Sequence, residues 1–192
     1  MCALLSKEGK ERLRSLADPI TGLLVRARVH PNVLTIAGLV LAVVAGLLLG
    51  IGQLRRGAIV FLAGGLFDML DGAVARAAGK GSRFGAFFDS SIDRYAEIVP
   101  YLGLSFFMRS DTLFFLPFLV ITGSLMVSYT RARIEGLGGT CHVGLLERPE
   151  RIVLLFLGLL IGGVPLKIAL VLLAVGSHFT AFQRMRHARS IL

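Results

Sequence analysis

From residue 33 onward, apolar residues run in blocks separated by short polar breaks. A bilayer's hydrocarbon core is about 30 Å thick, and a helix rising about 1.5 Å per residue crosses it in about 20 residues. The blocks predict six spans, at about 33–52, 57–78, 84–108, 112–133, 151–163 and 166–185. The breaks are His30-Pro31-Asn32, Gln53-Leu54-Arg55-Arg56, the loop GKGSR at 79–83, Arg109-Ser110-Asp111, a polar segment at 134–150, and Gly162-Gly163-Val164-Pro165. Ahead of them, residues 7–28 alternate cations with Leu13, Leu16, Ile20, Leu23 and Leu24. That is the pattern of a helix lying in the membrane interface, bent or divided at Pro19. The expected fold is all-α: an integral membrane bundle of six transmembrane helices preceded by an N-terminal interfacial amphipathic helix. It reads as one domain over 1–192, with 7–28 the juxtamembrane helix and 33–185 the bundle.

Composition agrees. The chain of 192 residues is 55% hydrophobic, with a mean hydropathy of +0.76, too apolar for an ordinary soluble domain of this size. The net charge of +9 would suggest nucleic acid on a soluble protein; here it reads as cytoplasmic loops facing an anionic membrane or substrate. Six spans put both termini on one side, where sixteen Lys and Arg collect, against Arg55, Arg56, Arg109 and Lys167 on the other. The positive-inside rule makes the richer face cytoplasmic. Residues 1–10 have no apolar h-region, so no cleaved signal peptide is expected. Cys2 and Cys141 suggest neither a disulfide framework nor a zinc site. Gly46 with Gly50, and Gly158 with Gly162, are small-xxx-small pairs that suit close helix packing, within one chain or between two.

The polar residues that do not fit a membrane carry the chemistry. Asp68 and Asp71 lie at the end of the second predicted span, and Asp89, Asp93 and Glu97 at the start of the third. One charged carboxylate at a span centre costs about 2.5–3.5 kcal/mol, so four cost on the order of 10, comparable to a domain's whole stability. Only Arg76 and Arg94 lie near them in sequence. Asp68 and Asp71 are i and i+3, and Asp89 and Asp93 i and i+4, so each pair shares a helix face. Two dications would balance four carboxylates. Hard oxygen ligands suit Mg²⁺ or Mn²⁺, and paired metals with open positions suit phosphoryl-group chemistry. Structural ion pairs, or a proton or cation pathway, would use the same acids. Gly72 and Ala75 remove bulk beside the carboxylates, so a flat base or a pyrophosphate can approach the backbone. Arg76 is within reach of a phosphate.

Taken together, residues 68–93 are Asp68-x2-Asp71-Gly72-x2-Ala75-Arg76-x8-Gly85-x3-Asp89-x3-Asp93. This resembles the full signature of the CDP-alcohol phosphatidyltransferase family, and Pro31-Asn32-x2-Thr35 extends the likeness upstream. The resemblance implies an enzyme with two Mg²⁺ or Mn²⁺ ions on Asp68, Asp71, Asp89 and Asp93. Asp93 would also be the general base toward the acceptor hydroxyl. Gly72, Ala75, Arg76, Asn32 and Thr35 would border the CDP-lipid, either CDP-diacylglycerol or CDP-archaeol. The segments Ser128-Tyr129-Thr130-Arg131-Ala132-Arg133 and Gly144-Leu145-Leu146-Glu147-Arg148-Pro149-Glu150-Arg151 resemble the family's inositol-phosphate branch. By that likeness Arg131, Arg151 and Arg184 would hold the phosphate of inositol 1-phosphate, with Glu147 and Glu150 ordering the loop. Convergent arginines suit a phosphorylated acceptor; ordinary positive-inside charge, or glycerol 3-phosphate as acceptor, remains open. A cytoplasmic active site and a homodimer are expected, with no nucleic-acid partner. His178 is expected to be a packed or capped polar residue rather than a ligand, and His30, His142 and His187 to be solvated.

Overall fold

The computed structural model describes residues 18–79 and 82–192. The interfacial-helix expectation over 7–17, Cys2, and Lys80-Gly81 of the GKGSR loop lie outside these residues. The described residues are helical, without strands. A helical stretch at 18–26 (α1) is followed by α2 (Pro31–Gly50), α3 (Leu54–Ala77), α4 (Arg83–Phe107), α5 (Leu116–Gly136), α6 (Arg148–Ile161) and α7 (Gly163–Ile191). The described residues form two compact units, one running through Gly103 and the other starting at Leu104.

In the first unit, α2 and α3 form a hairpin. His30 caps α2 through Nδ1, which accepts from the Asn32 N–H at 3.3 Å. Pro31 follows in the first turn, where its missing N–H costs nothing. His30 is therefore a cap rather than a merely solvated residue. Gly38 and Gly64 let α2 and α3 meet backbone to backbone: a Cβ on either would lie 3.4–3.5 Å from the other's carbonyl. Leu34, Leu70 and Val74 form a core that Leu24, Val25 and Val29 cover, which ties α1 to the hairpin. Gly46 receives α4, since a Cβ there would lie 2.8 Å from Val99 Cγ1. Gly103 of α4 rests directly on the Gly46 carbonyl. This small-xxx-small glycine packs helices within the chain.

The second unit is built on α7. Buried residues of α5 step through 116, 120, 123, 127, 130 and 134. Those of α7 step through 166, 170, 173, 177, 180 and 184. Alternating steps of four and three give a coiled-coil-like seam. Gly123 allows its closest point, where a Cβ would lie 2.9 Å from Ser177 Cβ. Gly158 of α6 is likewise pressed against Ala169 of α7. Asp111 in the α4–α5 turn pairs with Lys167 at 2.5 Å and accepts from the Leu113 N–H at 2.9 Å. These contacts hold its carboxyl below the usual range, the Lys167 hydrogen bond contributing most.

Six helices stand where six spans are expected, with ends shifted by a few residues. Three of them, Pro31–Gly50, Leu54–Ala77 and Gly163–Ile191, are long and apolar enough to cross a membrane. With 14 residues, α6 is about 21 Å long, short of a full span. The basic tail after 185 continues α7, because a change from apolar to polar residues ends a span but not a helix.

Candidate metal and phosphate sites

Asp68 and Asp71 project from the last turns of α3, and Asp89 from the second turn of α4. One carboxylate oxygen from each lies within 4.8 Å of the others. Asp71 is 3% exposed, while Asp68, Asp89 and Asp93 are half-buried. At an effective dielectric constant of about 20, each like-charge pair at this distance costs about 3–4 kcal/mol. The three hard oxygen donors could hold a cation, which would offset that repulsion. Asp93, one turn beyond Asp89, lies close enough to Asp71 to repel it. It approaches Arg94 Nη2 at 3.6 Å.

A contact that the sequence does not reveal fixes Asp71. Thr35 Oγ1 on α2 donates to Asp71 Oδ2 at 2.7 Å, and both groups are buried. The spacing Pro31-Asn32-x2-Thr35 places Thr35 one turn inside α2, facing α3, and Oγ1 also lies 3.3 Å from the Pro31 carbonyl. Thr35 thus braces the acidic cluster directly, beyond the nucleotide-bordering role expected of it. Asn32 does face the signature: its Oδ1 would lie 3.9 Å from a Cβ placed on Gly85. The Gly85 N–H donates to Ser82 Oγ at 2.9 Å, capping the start of α4. The Arg76 guanidinium folds over Gly72, with Nη1 3.3 Å from where a Gly72 Cβ would stand. Arg76 is exposed, and Gly72 and Ala75 are half-buried.

The expected acceptor arginines lie in the second unit. Arg131 and Arg151 are near enough to Arg184 to repel it, with Glu147 in the same charge cluster. Their surroundings differ. Arg131 is exposed and pairs with Glu135 at 2.8 Å. Arg151 and Arg184 are 2% and 3% exposed. Arg151 Nη1 donates to the Leu146 carbonyl at 3.1 Å. Arg184 donates from Nε to the Val143 carbonyl at 2.8 Å and from Nη1 to the Val127 carbonyl at 2.6 Å. His178 is exposed, and its Nε2 lies 3.4 Å from Thr122 Oγ1 and 3.2 Å from the Leu119 carbonyl, so it is hydrogen-bonded at the helix surface rather than packed. His187 is not merely solvated: its Nε2 lies 3.1 Å from the Thr140 carbonyl.

The sequence model of the CDP-alcohol phosphatidyltransferase family matches residues 28–182. The chain belongs to that family, and it is an enzyme of this class. It is 37% identical to the phosphatidylinositol phosphate synthase of Mycobacteroides abscessus, covering 99% of this chain and 90% of that one. It is 38% identical to the archaetidylinositol phosphate synthase of Pyrococcus horikoshii, covering 85% and 86%. Among solved structures it resembles the phosphatidylinositol phosphate synthase of Mycobacterium tuberculosis with CDP-DAG bound. The TM-score is 0.83 at 34% identity, over 92% of this chain and 95% of that one. The same synthase in complex with manganese and citrate superposes with a TM-score of 0.83 at 33% identity, over 91% and 90%.

Proposed function

We propose that this membrane phosphatidyltransferase moves the phosphatidyl or archaetidyl group of a CDP-lipid onto inositol 1-phosphate and releases CMP. The observation that carries the chemistry is the convergence of Asp68, Asp71 and Asp89 within an unbroken family signature. The inositol-phosphate acceptor is supported by the likeness, over most of the chain, to a phosphatidylinositol phosphate synthase and an archaetidylinositol phosphate synthase. The gathering of Arg131, Arg151 and Arg184 supports an acceptor that carries a phosphate.

Asp68, Asp71, Asp89 and Asp93 fit two Mg²⁺ or Mn²⁺ ions, which when bound neutralise the pyrophosphate and the departing CMP. Asp93, at the edge of the cluster, takes the proton from the acceptor hydroxyl, whose oxygen attacks the lipid-side phosphorus. Gly72 and Ala75 leave space for the nucleotide beside the carboxylates, Arg76 and Asn32 border it, and Thr35 holds Asp71 in place. Arg131, Arg151 and Arg184 hold the acceptor phosphate, with donors that water would otherwise have to supply.

The whole chain works as one membrane domain of six spans, the short α6 included. The N-terminal helix lies in the interface, where exposed Ile20 and Leu23 meet lipid. Both termini and the active site face the cytoplasm, and the enzyme acts as a homodimer. The test is CMP release by purified enzyme with CDP-diacylglycerol, Mg²⁺ or Mn²⁺, and each acceptor in turn. Turnover with inositol 1-phosphate is expected. Turnover with glycerol 3-phosphate and none with inositol 1-phosphate would overturn the acceptor assignment.

A further inference from the structure

The α5–α6 loop, residues 137–147, is fastened to α7 along its backbone. At the polar end of the seam, Thr180 and Arg184 are followed by His187 at the same spacing of four and three, so the three share one helix face. They meet the loop at every third residue, in reverse order. Thr180 Oγ1 accepts from the Leu146 N–H at 3.0 Å. Arg184 Nε donates to the Val143 carbonyl at 2.8 Å. His187 Nε2, which must carry the proton here, donates to the Thr140 carbonyl at 3.1 Å. From α6, Arg151 Nη1 donates to the Leu146 carbonyl, so both backbone groups of Leu146 are held. Gly144 lets the strap lie flat: its φ is +152, and a Cβ would fall 2.8 Å from Thr180 Cγ2.

We propose that Thr180 and His187 are positioning residues for the acceptor alcohol. With Arg184 they fix the 140–146 strap, and through it the place of the Arg151 and Arg184 guanidiniums that touch it. The inference rests on the reading of those arginines as the phosphate site. Arg151 and Arg184 each touch the strap, so a loose strap means loosely placed guanidiniums. Ordering them on binding would then weaken acceptor affinity, while a strap already tied down removes that cost.

The test uses the purified full-length enzyme in nanodiscs, with CMP release measured against inositol 1-phosphate and against CDP-diacylglycerol. Hydrogen exchange is followed in peptides covering 137–147. Thr180→Val keeps the shape but leaves the buried Leu146 N–H without its acceptor. It should raise the acceptor KM by about tenfold and the CDP-lipid KM by less than about twofold. Exchange in 137–147 should become faster, and Thr180→Ser should restore both readouts. His187→Ala, at the more open end, should act in the same direction, and His187→Gln, whose amide can donate, should rescue it. Equal rises in both KM values, or an unchanged acceptor KM, would overturn the proposal. Arg151→Ala separates the two readings. If it leaves the acceptor KM unchanged, the phosphate-site reading itself fails; if it raises the KM while Thr180→Val and His187→Ala do not, only the strap inference fails. Should Thr180→Val not fold, the His187 pair decides.

Discussion

Asp71 is the most enclosed of the four signature carboxylates, and its neighbour Thr35 decides how its oxygens are aimed. A hydroxyl bound to Oδ2 from the neighbouring helix is a support common around metal ligands. Thr35→Val should therefore weaken Mn²⁺ binding by about 10- to 100-fold, while Thr35→Ser should keep it close to wild type. Titration of the purified protein, followed by the electron paramagnetic resonance of free Mn²⁺, checks this without relying on turnover. Asp93→Asn should act differently, abolishing turnover while leaving most CDP-lipid binding, because a base is lost but three oxygen donors remain. Wild-type rates in that variant would remove Asp93 as the base. The acids themselves are legible in the sequence, since a carboxylate inside an apolar block demands compensation. Thr35 as a brace is not, because one threonine in an apolar helix carries no periodic or electrostatic signal. The work of Arg151 and Arg184 on loop carbonyls is hidden for a similar reason: charge shows where a guanidinium collects, not which backbone group it holds.

Among the helices, hydropathy blocks locate each element, while capping and packing residues set its ends and neighbours. Proline in the first turn starts α2 and α5, and α7 runs on through basic residues that no membrane requires. Steps of four and three along α5 and α7 contain the seam, and with it Thr180 and His187, but only once the partner helix is known. The glycine contacts make the packing testable. Gly103→Ala would drive a methyl group into the Gly46 carbonyl, and overpacking of this kind costs about 1–3 kcal/mol. A lower thermal midpoint in detergent is expected. Gly136→Ala, with open space around its Cβ, should not lower it. Asp111→Asn should also reduce the midpoint at neutral pH. Because folding depresses the Asp111 pKa, its contribution is present above the unfolded-state value and fades as pH falls through the folded-state value. The variant and wild type should therefore converge in acid.

For the molecule as a whole, sixteen cations crowd one predicted face and four the other, while a group of acids sits within apolar helices. Under the proposed function the two features belong together: the membrane would supply the lipid substrate, and the acids would hold the dications that carry the charge of a nucleotide diphosphate. The account depends on that cluster being a dication site rather than a set of structural ion pairs. Counting Mn²⁺ bound by the purified wild-type enzyme and by Asp71→Asn, with CDP-diacylglycerol present, tests this most directly. The prediction is two saturable ions per wild-type chain and loss of that binding in the variant. Absence of saturable Mn²⁺ in the wild type, or full retention in Asp71→Asn, would contradict it.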